Sequence, residues 1–161
     1  MLKTVVYFIF VVCFSLPLQA EILYGRVIGV TDGDTVKLLD ATNTMHIIRL
    51  AGIDAPEKKQ SFGNASKKSL SNIVYDRLVS IEYYKFDRYS RKVGKILISG
   101  NDVNLEQVRL GMAWHYKKYK SEQSVDDFLK YMHAQEEARN NRLGLWVNEG
   151  AIAPWEFRKL K

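Results

Sequence analysis

Apolar residues fall along this chain in short runs separated by polar, turn-forming clusters, a pattern of strands more than of long helices. Residues 22–30 are rich in β-branched side chains and predict a first strand, closed by the turn signal Thr31-Asp32-Gly33. A second strand is expected over 34–39, with Val36 and Leu38 on the same face as Asp34, and residues 40–43 turn the chain again. Residues 45–53 read as a third strand, apolar on both faces, so alternation does not say which side is inside. A polar stretch then leads to a helix at about 65–75, where Leu70, Ile73 and Val74 have helical spacing. Strands four and five are expected at 78–83 and 93–98, flanking the charged hairpin Lys85-Phe86-Asp87-Arg88-Tyr89-Ser90-Arg91. Asn104 with Gln107 resembles a capping box opening a short helix that ends near Gly111. Ser124 with Asp127 opens a longer one, with an apolar stripe of Val125, Phe128, Leu129 and Met132 and Gly144 as its stop. Three strands, a helix, two strands and two helices is the order of a small closed β-barrel with helices packed outside, a class that includes the oligonucleotide-binding barrel.

The first twenty residues stand apart. Met1-Leu2-Lys3 is a short positive start, residues 4–16 are almost wholly apolar, and Pro17-Leu18-Gln19-Ala20 ends in a small residue. That is the layout of a secretory signal peptide, and the apolar run is shorter than the roughly 20 residues a membrane span needs. An uncleaved anchor is the alternative. The expected organisation is a leader over 1–20 and one domain over 21–161, with the chain secreted or periplasmic and, after cleavage, not membrane-bound. Cys13 is the only cysteine and lies in the leader. The mature chain therefore has no disulfide, and its stability must come from its core or a bound ion. The whole chain carries 24 Lys+Arg against 18 Asp+Glu, a net +6, and removal of the leader leaves +5. A basic balance suits a polyanionic partner.

Two clusters carry candidate chemistry: Thr31-Asp32-Gly33-Asp34-Thr35-Val36 and Arg49-Leu50-Ala51-Gly52-Ile53-Asp54-Ala55-Pro56-Glu57. Each sets carboxylates at the edge of an apolar strand, which is how proteins hold a hard cation such as Ca²⁺ or Mg²⁺. Taken singly, Asp34 and Asp54 also read as turn or strand-end residues. Arg49 interrupts an apolar strand. It is either half of a salt bridge with a nearby carboxylate or a fork aimed at phosphate, and Arg91 has the same two readings. Trp114-His115-Tyr116-Lys117-Lys118-Tyr119-Lys120 interleaves aromatics with positive charge, a mix that can stack bases or simply pack on a barrel. His46, His115 and His133 lack metal-ligand spacing and read as surface or structural. Trp146 and Trp155 read as core or tail anchors.

Four segments, Asp32-Gly33-Asp34-Thr35-Val36, Arg49-Leu50…Asp54-Ala55-Pro56-Glu57, Asp87-Arg88-Tyr89-Ser90-Arg91 and Leu143-Gly144-Leu145-Trp146, resemble the staphylococcal nuclease (thermonuclease) family in order and spacing. The resemblance covers about residues 25–148. It implies a five-stranded oligonucleotide-binding barrel with three helices. It also implies a monomeric, Ca²⁺-dependent phosphodiesterase that acts on DNA and RNA, leaves 3′-phosphate ends and needs no stable protein partner. By motif position, Asp34 and Asp54 resemble carboxylate ligands of Ca²⁺, with Ala55, where the family commonly has Thr, supplying a carbonyl. Glu57 resembles the carboxylate that orients or deprotonates the attacking water, and Arg49 and Arg91 a phosphate clamp. Tyr89 resembles a tyrosine that contacts substrate phosphate. Tyr119 resembles one of two tyrosines lining the nucleotide pocket, the other being replaced by Lys117. The loops at 58–62 and 84–86 are shorter than in the best-known member. The rival is a non-catalytic module holding single strands on the same barrel. Such a module would have no need of Asp34, Asp54, Glu57, Arg49 and Arg91 together.

Overall fold

The computed structural model describes residues 21–160. The leader expected over 1–20, with Cys13, and residue 161 lie outside the described residues. In chain order the elements are β1 (Glu21–Asp32), β2 (Thr35–Asp40), β3 (Met45–Leu50), β4 (Ile53–Asp54), α1 (Gly63–Val74), β5 (Leu78–Phe86), β6 (Lys92–Ile98), β7 (Asn101–Asp102), α2 (Val103–Arg109), β8 (Trp114–His115), α3 (Val125–Asn140) and α4 (Pro154–Phe157). Tight 3₁₀ turns occupy Lys117–Glu122, Gly144–Val147 and Arg158–Leu160.

Five strands close into a mixed barrel in the order β3-β2-β1-β5-β6, shut by a parallel β3–β6 pairing in which Arg49 lies opposite Val93. Closure removes the edge strands that an open sheet of this size would expose. The interior is filled by Val27, Val36, Leu38, Ile48, Leu50, Val79, Ile81 and Ile96, with Leu70 and Val74 of α1 packed against them. Val36 and Leu38 are buried, and so are Asp34 and Thr35 just before them. Each such aliphatic side chain contributes about 1.5–3 kcal/mol by leaving water, which is how residues 21–160, with no cysteine among them, hold together. On β3 the inward residues are Ile48 and Leu50, while Met45 and Ile47 face out, which settles the ambiguity of that doubly apolar strand.

Four expectations are corrected. The third strand does not run to residue 53: it stops at Leu50, and Gly52, at φ 73°, turns the chain into β4. β4 then pairs with β8 instead of with the barrel. The short helix is capped by Asp102, which accepts from the Leu105 amide at 3.0 Å, and not by Asn104. Asn104 and Gln107 are fully buried struts. Asn104 donates to the carbonyls of Ala51 and Gly94 and accepts from the Ile96 amide, and Gln107 donates to the carbonyls of Gly33 and Ser66. The stripe of α3 is also differently phased. Val125 and Leu129 are exposed, whereas Tyr131, Ala134, Gln135 and Ala138 are buried. Finally, α3 ends at Asn140. Arg142, at φ 52°, closes it with the amides of Arg142 and Leu143 donating to the carbonyls of Arg139 and Ala138. Gly144 opens the following 3₁₀ turn. The Ser124 cap holds, accepting from the Asp127 amide at 3.1 Å.

Candidate active site

Asp34 sits where the tight turn after β1 delivers the chain into β2. Its amide donates to Asp32 Oδ1 at 3.1 Å, and Gly33 lets the turn lie so close to Ser66 and Ala55 that a side chain would collide with both. The Asp34 carboxylate accepts from Thr35 Oγ1 at 3.0 Å and from the Ala55 amide at 2.7 Å. Asp54 is carried by β4, where its pairing with Trp114 holds the strand against β8. Both carboxylates are nearly excluded from water, at 6% and 2% exposure.

Arg49, on β3, joins them. Its Nη2 lies 3.1 Å from Asp34 Oδ2 and 3.0 Å from Asp54 Oδ1, and its Nη1 donates to the Leu50 carbonyl at 2.8 Å. Of the two readings of Arg49, the salt bridge is therefore present in the structure. Two carboxylate oxygens within about 3 Å of one nitrogen define a small pocket of converging hard donors. The Ala55 contact made here is through its amide, to Asp34.

Glu57 lies on the loop after β4, held by its own amide donating to Gln60 Oε1 at 3.1 Å. Its carboxylate is gripped by Arg158, from the turn after α4. Arg158 Nη1 donates to Glu57 Oε1 at 2.8 Å, and Arg158 Nη2 to Asp54 Oδ2 at 2.7 Å. Arg158 is a site residue that sequence reasoning missed. The only local signal is a basic residue in the aromatic segment Pro154-Trp155-Glu156-Phe157.

These groups line an open groove of about 970 Å³. Its lining also includes Lys85, Arg88, Tyr89 and Arg91 of the β5–β6 hairpin and Tyr116, Lys118 and Tyr119. The structure thus brings Asp34, Arg49, Asp54, Ala55, Glu57, Tyr89, Arg91 and Tyr119 to one groove. Arg91 makes no contact with the carboxylate pair. It donates to Asp87 Oδ2 at 2.7 Å and lies 5.4 Å from the centre of the Tyr89 ring. Tyr89 and Tyr119 are exposed, and Lys85 lies over the Tyr119 ring at 4.7 Å. Tyr116 also lines the groove, packed on Trp155 with ring centres 5.2 Å apart. Trp114 turns the other way, onto Trp146 at 4.4 Å, and His115 is buried. His46 is bound to Asp40 and takes no part in the groove.

Burial governs the electrostatics. It raises the Asp54 carboxyl above its ordinary range, outweighing the opposing pull of Arg158 and Arg49. Asp32 is pushed up to about 6 by burial and by the charge of Asp34. Such a cluster favours an added positive charge. Among the described residues no three His, Cys, Asp or Glu side chains converge as a ready-made metal site. Two buried carboxylates do, and their donors suit a hard, oxygen-seeking cation that takes its remaining ligands from backbone and water.

A staphylococcal nuclease homologue profile matches residues 47–148. A protein of Escherichia coli O157:H7 named an uncharacterized endonuclease is 38% identical over 149 residues, covering 92% of this chain and 93% of that protein. A micrococcal nuclease of Shigella flexneri is 33% identical over 154 residues, covering 90% and 85%. An uncharacterized endonuclease of Haemophilus influenzae is 42% identical over 134 residues, covering 83% and 72%. A closed five-stranded barrel with a carboxylate and guanidinium cluster at its rim defines a metal-dependent nuclease of the oligonucleotide-binding type. The chain belongs to the staphylococcal nuclease family.

Proposed function

We propose that this chain is an exported, Ca²⁺-dependent nuclease that hydrolyses DNA and RNA within the groove and leaves 3′-phosphate ends. The observation that carries the reading is the single Arg49 nitrogen held 3.1 and 3.0 Å from two buried carboxylates, beside a groove lined with cations and tyrosines. Ca²⁺ is preferred over Mg²⁺ because two carboxylates, the Ala55 carbonyl and water make a loose oxygen shell. Bound there, the ion would neutralise charge on the phosphodiester.

The chain's own residues do the rest. Arg49 and Arg91 take the non-bridging oxygens, where charge grows as the nucleophile arrives, and hold phosphorus for in-line attack. Arg91 must share itself between phosphate and Asp87 to do so. Glu57 orients the attacking water and accepts its proton. Water oxygen bonds to phosphorus as its proton passes to Glu57, the bond to the 5′ oxygen breaks, and that oxygen takes a proton from solvent, so the products are a 3′-phosphate and a 5′-hydroxyl. Tyr89 and Tyr119, with Lys85 and Lys118 beside them, receive the flanking nucleotides by stacking and charge. The basic hydrophobic leader over 1–20 supports export, and intact-mass measurement of exported protein checks cleavage after Ala20.

End-group analysis of DNA and RNA digested with Ca²⁺ tests the reaction. 3′-phosphate termini on both are expected. 5′-phosphate termini would mean the opposite bond breaks, and intact strands retained on the protein would favour the binding module.

A further inference from the structure

We propose that the segment beyond the family-matched residues 47–148 is a working part of the active site, with Arg158 as the positioning residue that aims Glu57. The inference rests on the role given to Glu57 above.

Glu57 lies on an irregular loop, and its side chain is one-third exposed. Among the described residues, Arg158 is the only side chain holding its carboxylate. Left alone, a glutamate on a loop samples many rotamers, and each misplaced one is lost to catalysis. Arg158 removes that freedom by geometry. One arm of the guanidinium holds Glu57 at 2.8 Å, and the fork spans Asp54, at 2.7 Å to Oδ2 and 3.3 Å to Oδ1. Glu57 is thereby indexed to Asp54, which β4 fixes rigidly. A lysine has one charged nitrogen and cannot span both carboxylates in this planar manner.

The tail is itself anchored independently of Arg158. Trp155 packs between Trp114, at 5.5 Å, and Tyr116, at 5.2 Å. Pro154 is buried at the start of α4. Gln60, from the Glu57 loop, donates to the Ile152 carbonyl at 2.5 Å. The loop and the tail are therefore braced at two points, and the second is a side chain to a backbone carbonyl that a change at 158 leaves untouched.

The charge count agrees. Asp34, Asp54 and Glu57 carry three negative charges and Arg49 and Arg158 two positive ones, leaving −1. A divalent ion and one phosphodiester then bring the assembled site to neutrality. Without Arg158 the same assembly would be left at −1, against the binding of an anion.

The test uses the full mature chain and four proteins: wild type, Arg158→Gln, Glu57→Gln and the double variant. Arg158→Gln should lower kcat by about 10- to 100-fold, as loss of an orienting partner typically does, with a smaller change in KM. In the Glu57→Gln background the same change should cost about twofold or less, because the group it aims has already lost its function. Arg158→Lys should not restore the rate. Melting temperature in chelator should fall only modestly, because the half-exposed Arg158 leaves a buried Asp54 that Arg49 still holds. Ca²⁺ titration by calorimetry should show Arg158→Gln binding the ion as tightly as wild type or more tightly, because a cation has been removed from Asp54. Several results would overturn the inference. These are full or raised activity of Arg158→Gln, an undiminished loss in the Glu57→Gln background, rescue by Lys, or a tenfold weaker Ca²⁺ affinity. A wild-type chain that cuts nothing with Ca²⁺ would instead sink the proposed function itself.

Discussion

Replacing Arg49 by Met removes a guanidinium while keeping much of its aliphatic length. In the structure this strands Asp34 and Asp54, whose side chains are 8% and 3% exposed, against a partner that was itself only 16% exposed. Removing one member of a buried ion pair typically costs about 3–5 kcal/mol, because the remaining charge stays desolvated. The low end applies here. Thr35 and Ala55 still donate to Asp34, and Arg158 still holds Asp54. The expected loss in chelator is therefore about 3 kcal/mol. Ca²⁺ places positive charge against the same two carboxylates, and at a hundredfold excess over its Kd it returns about 2.7 kcal/mol. Urea unfolding of both proteins, with chelator and with saturating Ca²⁺, measures the two gaps. The variant should be markedly weaker without the ion; Ca²⁺ stabilises both proteins, and the gap should narrow because the variant, freed of the competing guanidinium, binds the ion more tightly. Its turnover should stay down by about 10²–10³-fold throughout, since the ion cannot supply the lost donor. A chelator gap below about 1 kcal/mol would mean the cluster is solvated like a surface pair. A gap that Ca²⁺ leaves unchanged would mean Arg49 and the ion do not compete for Asp34 and Asp54, and no stabilisation of either protein by Ca²⁺ would mean the ion does not bind between them.

Asp34→Ala and Asp54→Ala should each abolish Ca²⁺-dependent cleavage with the fold retained by circular dichroism; full activity of either in a Ca²⁺ titration would remove that residue from the metal site. Arg91→Lys keeps the charge but loses the planar fork, so the rate should fall while Ca²⁺ affinity holds, and near-wild-type turnover would show that positive potential suffices. Burial lowers the His115 pKa below its ordinary 6.5. The folded state therefore resists a proton that the unfolded chain accepts. Stability is full above pH 6.5 and declines as pH falls below it, by at most about 1.4 kcal/mol per pH unit. Denaturant titrations at neutral and acid pH should show this loss in wild type and a smaller one in His115→Gln; identical acid losses would place the titrating group elsewhere.

The barrel strands were legible because their apolar runs are bounded by turn signals, and Asp34 and Asp54 because both stand beside such turns. What was hidden depends on distant partners. β4 and β8 are two residues each, and nothing local marks Ile53 to pair with His115. The phase of α3 was misread because its buried face is made largely of Ala134, Ala138 and Tyr131, while the more apolar Val125 and Leu129 face solvent. Asn104 and Gln107 imitate a cap in sequence. In the fold they serve as buried struts between α2, β6 and the turn that carries Asp34. Arg158 was invisible for the same reason: it comes within reach of Glu57 only when the chain, 101 residues later, folds back across the groove.

Nucleic-acid cleavage by the purified protein tests the central claim most directly. It should be incubated with DNA and with RNA, in Ca²⁺ and in chelator, beside an Asp34→Ala, Asp54→Ala double variant. Both nucleic acids should be cut in Ca²⁺ by wild type alone, and left whole in chelator. Substrate that stays intact in all conditions, or cutting by the double variant at the wild-type rate, would contradict the account.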